Sequence, residues 1–176
     1  MEPMRTGFYH NNGDGTFTNV AGSVGLQLND GVSPHLGASW GDYDNDGFLD
    51  LVIKNGLTDT PPLGQTRLFH NSGNANHFLK IALVGTKSNR LGIGAKAYVT
   101  NGGQTLFREH NGGGGGEFRS QGQQPLHFGL GAVASTVSLM VHWPSGNIEK
   151  FTQVPVDSLV TVTENALALQ IRRLRF

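Results

Sequence analysis

The sequence contains no cysteine among its 176 residues, which excludes disulfides, thiol nucleophiles, zinc–cysteine sites and iron–sulfur clusters. Lysine and arginine together number 13, as do aspartate and glutamate. A neutral chain gives no electrostatic reason to expect a nucleic acid or an anionic membrane as partner. No apolar run is long enough to span a bilayer, and no signal-peptide pattern follows Met1. If the protein is exported, we expect its signal to lie outside this chain.

Glycine is abundant instead, with 26 residues, while only 15% of the chain is charged. This composition favours short strands joined by tight turns, because each glycine inside a helix costs about 1 kcal/mol. Strand patterns separated by turn signals fill most of the chain after residue 77. We therefore predict an all-β fold with a β-sandwich or barrel-like C-terminal module. The strand patterns cover residues 78–84, 95–100, 104–110, 137–143, 148–152 and 159–164.

The strongest motif is the acidic stretch at residues 42–50, which holds four of the eight aspartates. Carboxylates this close repel one another, and Ca²⁺, which takes six to eight oxygen ligands, relieves that repulsion. Alternate spacing turns the side chains of Asp42, Asp44 and Asp46 toward one point. Gly47 permits a sharp turn that returns the Phe48 carbonyl and the Asp50 carboxylate to the same point. The sequence therefore predicts a calcium site made of these five residues.

The alternatives for this stretch are an EF-hand and a metal-free polar turn. An EF-hand requires a glutamate at position 12 and flanking helices. Position 12 is Ile53, and residues 49–53 have the branched, alternating pattern of a strand. We therefore expect a calcium loop between strands. A polar Asx turn without a metal ion remains the purely structural alternative for the same residues.

A partial internal repeat precedes and follows the acidic stretch. Residues 7–20 predict a hairpin, and residues 9–11 (Tyr-His-Asn) recur 60 residues later as residues 69–71 (Phe-His-Asn). Repeats of this size are typical of propellers and solenoids. The second copy lacks acidic residues in its turn, so we predict no calcium in that turn. We expect His10 and His70, at equivalent positions, to pack against or cap their hairpins.

Two stretches resemble known families. Residues 11–17 (Asn-Asn-Gly-Asp-Gly-Thr-Phe) and 41–50 resemble the FG-GAP/VCBS repeat of integrin-type β-propellers. Residues 78–164 resemble the ASPIC/UnbV domain, with matching pieces at 89–96, 108–112, 127–131, 143–146 and Glu164. The resemblance implies a partial repeat over 1–77, an ASPIC/UnbV-like domain over 78–165 and a tail over 166–176. The tail has a composition compatible with a helix or with no native structure.

The resemblance also implies a location and a role. It implies calcium at the five loop residues, and a protein that is extracellular, on the cell surface or periplasmic. We expect this chain to be the C-terminal piece of such a protein. It implies adhesion or binding more than catalysis, with a protein, glycan or small-molecule ligand left open. Exposed strand edges make a homo-oligomer plausible.

The alternative function is a small calcium-dependent hydrolase acting on esters or lactones. Residues 37–41 match Gly-x-Ser-x-Gly, but a nucleophile elbow works only on a strand-to-helix turn, so a chance match is favoured. If the motif were catalytic, the candidates would be Ser39, with His35 near it in sequence, and His110, which lies beside a glycine run. Whether calcium has an open coordination position facing a pocket would discriminate the two functions.

Overall fold

The computed structural model describes residues 7–26, 35–55, 66–112 and 125–174. These residues form strands joined by turns and contain no helix, and so no helix able to cross a membrane. The all-β prediction is confirmed. In chain order the strands are β1 (Tyr9–Asn11), β2 (Phe17–Asn19), β3 (His35–Gly41), β4 (Asp50–Asn55), β5 (Thr66–Phe69), β6 (His77–Val84), β7 (Lys96–Asn101), β8 (Gln104–Glu109), β9 (Leu126–Gly131), β10 (Val137–His142), β11 (Ile148–Val154), β12 (Ser158–Thr163) and β13 (Gln170–Arg173).

Five strands belong to two small N-terminal sheets. β1 and β2 form the predicted antiparallel hairpin, with Asn11 opposite Phe17. Its turn is closed by Asx contacts, because Asp14 Oδ1 accepts from the Thr16 amide at 2.9 Å. β3, β4 and β5 form a three-stranded sheet in that order.

The remaining eight strands form two four-stranded sheets, ordered β11-β10-β7-β8 and β13-β12-β6-β9. β6 and β12 run parallel, and their other neighbours are antiparallel. Alternate residues of both sheets point into one apolar core, including Leu79 and Ile81 of β6 and Leu139 and Val141 of β10. Burying each such side chain stabilises the fold by about 1.5–3 kcal/mol. None of the described sheets closes on itself, so the module is a sandwich rather than a barrel.

The chain divides into two compact units. The first comprises residues 1–38 and 52–68, and the second comprises residues 39–51 and 69–176. The acidic loop therefore belongs to the same unit as the sandwich. The predicted domain boundary between residues 77 and 78 stays a prediction.

The C-terminal tail adds a strand that the sequence did not predict. β13 pairs antiparallel with β12, with Ser158 opposite Arg173, so the helical alternative is wrong for residues 170–173. All four side chains of β13 are exposed, which shows that backbone pairing rather than apolar burial holds it. The amide of Leu174, which is buried, donates to the Asp157 carbonyl at 3.1 Å and fixes the end of the strand.

Candidate metal centre

The acidic loop connects β3 to β4 and folds through short side-chain-to-backbone contacts. Asp44 Oδ1 accepts from the Asp46 amide at 3.2 Å, and Asp46 Oδ1 accepts from the Phe48 amide at 2.8 Å. Asn45 and Gly47 have φ angles of 63° and 94°. Two left-handed residues in three turn the chain sharply, and asparagine and glycine adopt that conformation most readily. The loop conformation is therefore encoded locally, as the sequence predicts.

Gly47 is required for space as well as for its backbone angle. A Cβ atom at this position would lie 2.0 Å from the Phe78 ring, which is far inside van der Waals contact. Phe78 belongs to β6 and is 2% exposed. Displacing its ring would therefore disrupt close packing and cost free energy. The loop backbone thus packs directly on an aromatic side chain of the sandwich.

The two ends of the loop are held by Asp42 and Asp50. Asp50 is buried, and its oxygens accept from the Tyr43 amide at 3.1 Å and from the Asn71 amide at 2.9 Å. Asp42 Oδ2 accepts from the Gly47 amide at 2.9 Å and from Lys80 Nζ at 2.7 Å.

The other Asp42 oxygen has a different environment. Oδ1 is buried, and within the described part of the chain it has no hydrogen-bond partner. A buried carboxylate oxygen without a donor is costly. A cation bound at this atom would remove that cost, so the donor set fits a metal ion.

The structure brings the four predicted aspartates together. Ligand atoms of Asp42, Asp44 and Asp50 lie within 4.8 Å of one another, and so do those of Asp44, Asp46 and His70. The sequence predicted that His70 packs against or caps its hairpin, and did not predict its place beside Asp44 and Asp46. Its Nδ1 lies 3.5 Å from Asp44 Oδ2 and 3.3 Å from Asp50 Oδ1. Phe48 lies in the loop as predicted, and the ligand role of its carbonyl stays a prediction.

Three side chains on the outer face of the β13-β12-β6-β9 sheet hold the loop. Lys80 of β6 and His127 of β9 are direct cross-strand neighbours, and Phe78 stacks on the His127 ring with centroids 5.8 Å apart. His127 Nε2 lies 2.8 Å from the Gly47 carbonyl oxygen. Burial lowers the pKa of His127, so the ring is neutral near pH 7 and donates through Nε2. The sequence did not predict Lys80 or His127 as contacts of the loop.

Ser39 and His110, the catalytic candidates whose side chains the structure describes, are not joined by any described contact. Ser39 lies within β3, so the Gly-x-Ser-x-Gly match is not on a strand-to-helix turn. Ser39 lines a cavity of about 470 Å³, where the histidine among the described lining residues is His127. His110 is buried after β8 and hydrogen bonds through its backbone to Gly94 and Ala95. The side chain of His35 lies outside the described residues. Catalytic roles for these three residues stay predictions.

One known family matches the N-terminal part of the chain, and another matches the C-terminal part. Residues 3–53 match the model of an FG-GAP-like repeat, and residues 85–168 match the model described as ASPIC and UnbV. The chain therefore carries an FG-GAP-like repeat followed by an ASPIC and UnbV domain, which confirms the resemblance inferred from the sequence.

Two curated relatives share part of this chain. It is 33% identical over 109 residues to cartilage acidic protein 1 of Mus musculus and 34% identical over 109 residues to cartilage acidic protein 1 of Xenopus tropicalis. In both cases the match covers 61% of this chain. It spans 16% of the length of either relative.

Proposed function

We propose that this chain is a calcium-stabilised, non-catalytic binding module of an extracellular protein. The observation that carries the proposal is the unpaired, buried Oδ1 atom of Asp42 inside a cluster of carboxylates. Asp42, Asp44, Asp46 and Asp50 would hold the ion through side-chain oxygens, and Phe48 through its carbonyl. Calcium supplies two positive charges and removes the repulsion among these groups.

Calcium fits this donor set better than the other common divalent ions. Carboxylate and carbonyl oxygens suit Ca²⁺ and Mg²⁺, but Mg²⁺ keeps most of its water and is seldom enclosed by protein ligands alone. Zinc prefers nitrogen and sulfur, and His70 is the one nitrogen donor in the two described clusters.

The ion has a structural role in this proposal. Asp42 connects through Lys80 to β6, the Gly47 carbonyl connects through His127 to β9, and Asp50 connects through Asn71 to the segment that leads into β6. A bound ion would therefore fix the loop in the shape that docks on the sandwich. No described contact joins Ser39 to His110, so we propose no hydrolytic role.

The extracellular location rests on the two comparisons. An FG-GAP-like repeat and a relative named cartilage acidic protein both favour an extracellular setting. An exported protein without disulfides needs another source of stability, and a bound metal supplies one. The bound partner is a protein, a glycan or a small molecule.

A pair of matched substitutions tests calcium binding. Asp46 and Asp14 each accept a hydrogen bond from the amide two residues later, but only Asp46 lies in a described carboxylate cluster. Asp46→Asn should lower calcium affinity at least tenfold, because one ligand charge is lost, whereas Asp14→Asn should leave affinity unchanged. Calorimetric titration with CaCl₂ measures both. Equal affinities for the two variants, or no heat of binding in the wild type, would contradict the proposal.

A further inference from the structure

Lys80 is an unusual residue for the strand in which it lies. It is 5% exposed and its neighbours in β6 are mostly apolar. A buried ammonium group is costly unless it is paired. Its hydrogen-bond partner among the described residues is Asp42, at 2.7 Å, so the acidic loop provides the compensating charge.

The negative charge of the loop also requires a compensating positive charge. Its four aspartates carry a formal charge of −4 when ionised, and Lys80 reduces this to −3. Calcium affinity depends on the number of ligand charges around the ion. Lys80 therefore reduces the net negative charge of the loop, as a bound metal ion would, but it is a permanent part of the chain.

The geometry allows Lys80 and a metal ion to be present together. Lys80 Nζ and the Gly47 amide both use Asp42 Oδ2, while the unpaired atom is Oδ1. An ion at Oδ1 would not displace the lysine. Without the ion, Lys80 is the charged partner of Asp42. With the ion, Asp42 has two cationic partners that repel each other.

We propose that Lys80 is a built-in counter-ion of the acidic loop. It holds the loop on the sandwich in the absence of calcium, and it keeps calcium affinity lower than the four aspartates alone would give. This inference rests on the proposed calcium site. It makes the loop a preformed site, although its carboxylates repel one another.

Substitution of Lys80 by methionine tests the inference, because methionine keeps an unbranched apolar side chain and removes the charge. Without calcium, the buried Asp42 carboxylate would keep the Gly47 amide but lose its charged partner, so Lys80→Met should lower the melting temperature in EDTA by about 5 °C or more. With calcium, the ion would compensate Asp42 and the difference should shrink. By linkage, calcium affinity of Lys80→Met should then rise at least tenfold. Lys80→Arg, which keeps the charge, is the matched control and should remain close to the wild type.

The outcomes separate this inference from the calcium proposal. If wild-type protein gives no heat with CaCl₂, the calcium proposal fails. If wild-type protein binds calcium but Lys80→Met melts like the wild type in EDTA, or binds calcium more weakly, the counter-ion role is wrong. If Lys80→Met is unfolded in EDTA, recovery of the folded state in CaCl₂ supports the inference. If Lys80→Met fails to fold in both conditions, the same measurements are made on Lys80→Gln, whose amide can still donate to Asp42. Lys80→Gln should also bind calcium more tightly than the wild type, and weaker or equal binding would overturn the inference.

Discussion

Two buried carboxylates in the second unit of this chain have opposite environments. Glu164, which is 1% exposed, accepts from the backbone amides of residues 86–88 at 2.7–2.9 Å. Its second oxygen accepts from Ser88 Oγ, Ser145 Oγ and the side-chain Nδ2 of Asn147. Asp42 has two donors on one oxygen and none described on the other. The protein itself satisfies both oxygens of Glu164, whereas Oδ1 of Asp42 has no donor among the described residues.

The difference between these carboxylates distinguishes a candidate metal ligand from a carboxylate that only links structural elements. Glu164 connects the loop after β6, the turn after β10 and the end of β12 through hydrogen bonds alone. Asp42 is surrounded by other carboxylates, and Lys80 is the cation bonded to it. Acidic residues and burial occur in both places, so the unpaired oxygen is the observation that points to a metal.

The largest expected effect comes from Glu164. Glu164→Gln removes the charge that six hydrogen bonds stabilise and should lower the free energy of unfolding by roughly 3 kcal/mol. The loss should be the same in CaCl₂ and in EDTA, because no metal is involved. Urea unfolding under both conditions measures it. Glu109→Gln, an exposed residue opposite Lys96, is the control and should change stability by less than about 0.5 kcal/mol. A loss that calcium abolishes would remove the distinction between the two carboxylates.

An effect of similar size should follow pH. Burial raises the pKa of Glu164, but hydrogen bonds from Ser145 and from the backbone amides of residues 86–88 outweigh it and lower the pKa from 4.5 to about 2. A folded-state pKa below the unfolded value gives stability that is complete above pH 4.5 and is lost as the pH falls toward 2. Acid melts in EDTA should therefore show wild type and Glu164→Gln converging over that range. A constant difference between them would contradict the assignment.

The smallest effect compares the two copies of the repeated turn. Asn11 and Asn71 each accept from the glycine amide two residues later, at 2.9 and 3.1 Å. Asn71 also donates to the Leu49 carbonyl and, through its backbone, to Asp50. Asn71→Ala should therefore weaken calcium binding about threefold by loosening Leu49, a loss of well under 1 kcal/mol, whereas Asn11→Ala should not. Calorimetric titration of both variants decides this, and equal affinities would mean that Leu49 is fixed by other contacts.

Much of this architecture is readable from the sequence, because it depends on local patterns. Aspartate spacing, Gly47 and the alternation of residues 49–53 predict a loop between strands. Period and turns also predict six of the seven strands from β6 to β12, the exception being β9. The tail strand β13 could not be predicted in this way. Its composition suits a helix, and pairing with the edge of β12 overrides that preference.

The contacts that make the acidic loop part of the sandwich are also invisible to local patterns. Lys80 is 38 residues from Asp42, and His127 is 80 residues from Gly47. One signal was present: alternation places Phe78 and Lys80 on the face of β6 opposite the core. An aromatic residue there indicates that the outer face is covered. His70 directly follows β5. Its position therefore also depends on a non-local contact, the pairing of β5 with β4.

A crystal structure of the wild-type protein grown with CaCl₂ tests the central claim most directly. The account predicts an ion about 2.3–2.6 Å from Asp42 Oδ1, with oxygens of Asp44, Asp46, Asp50 and Phe48 around it and Lys80 still bonded to Oδ2. Anomalous scattering would identify the ion as calcium. At saturating calcium, a water molecule or a protein donor at Oδ1 with no ion in the loop would contradict the account.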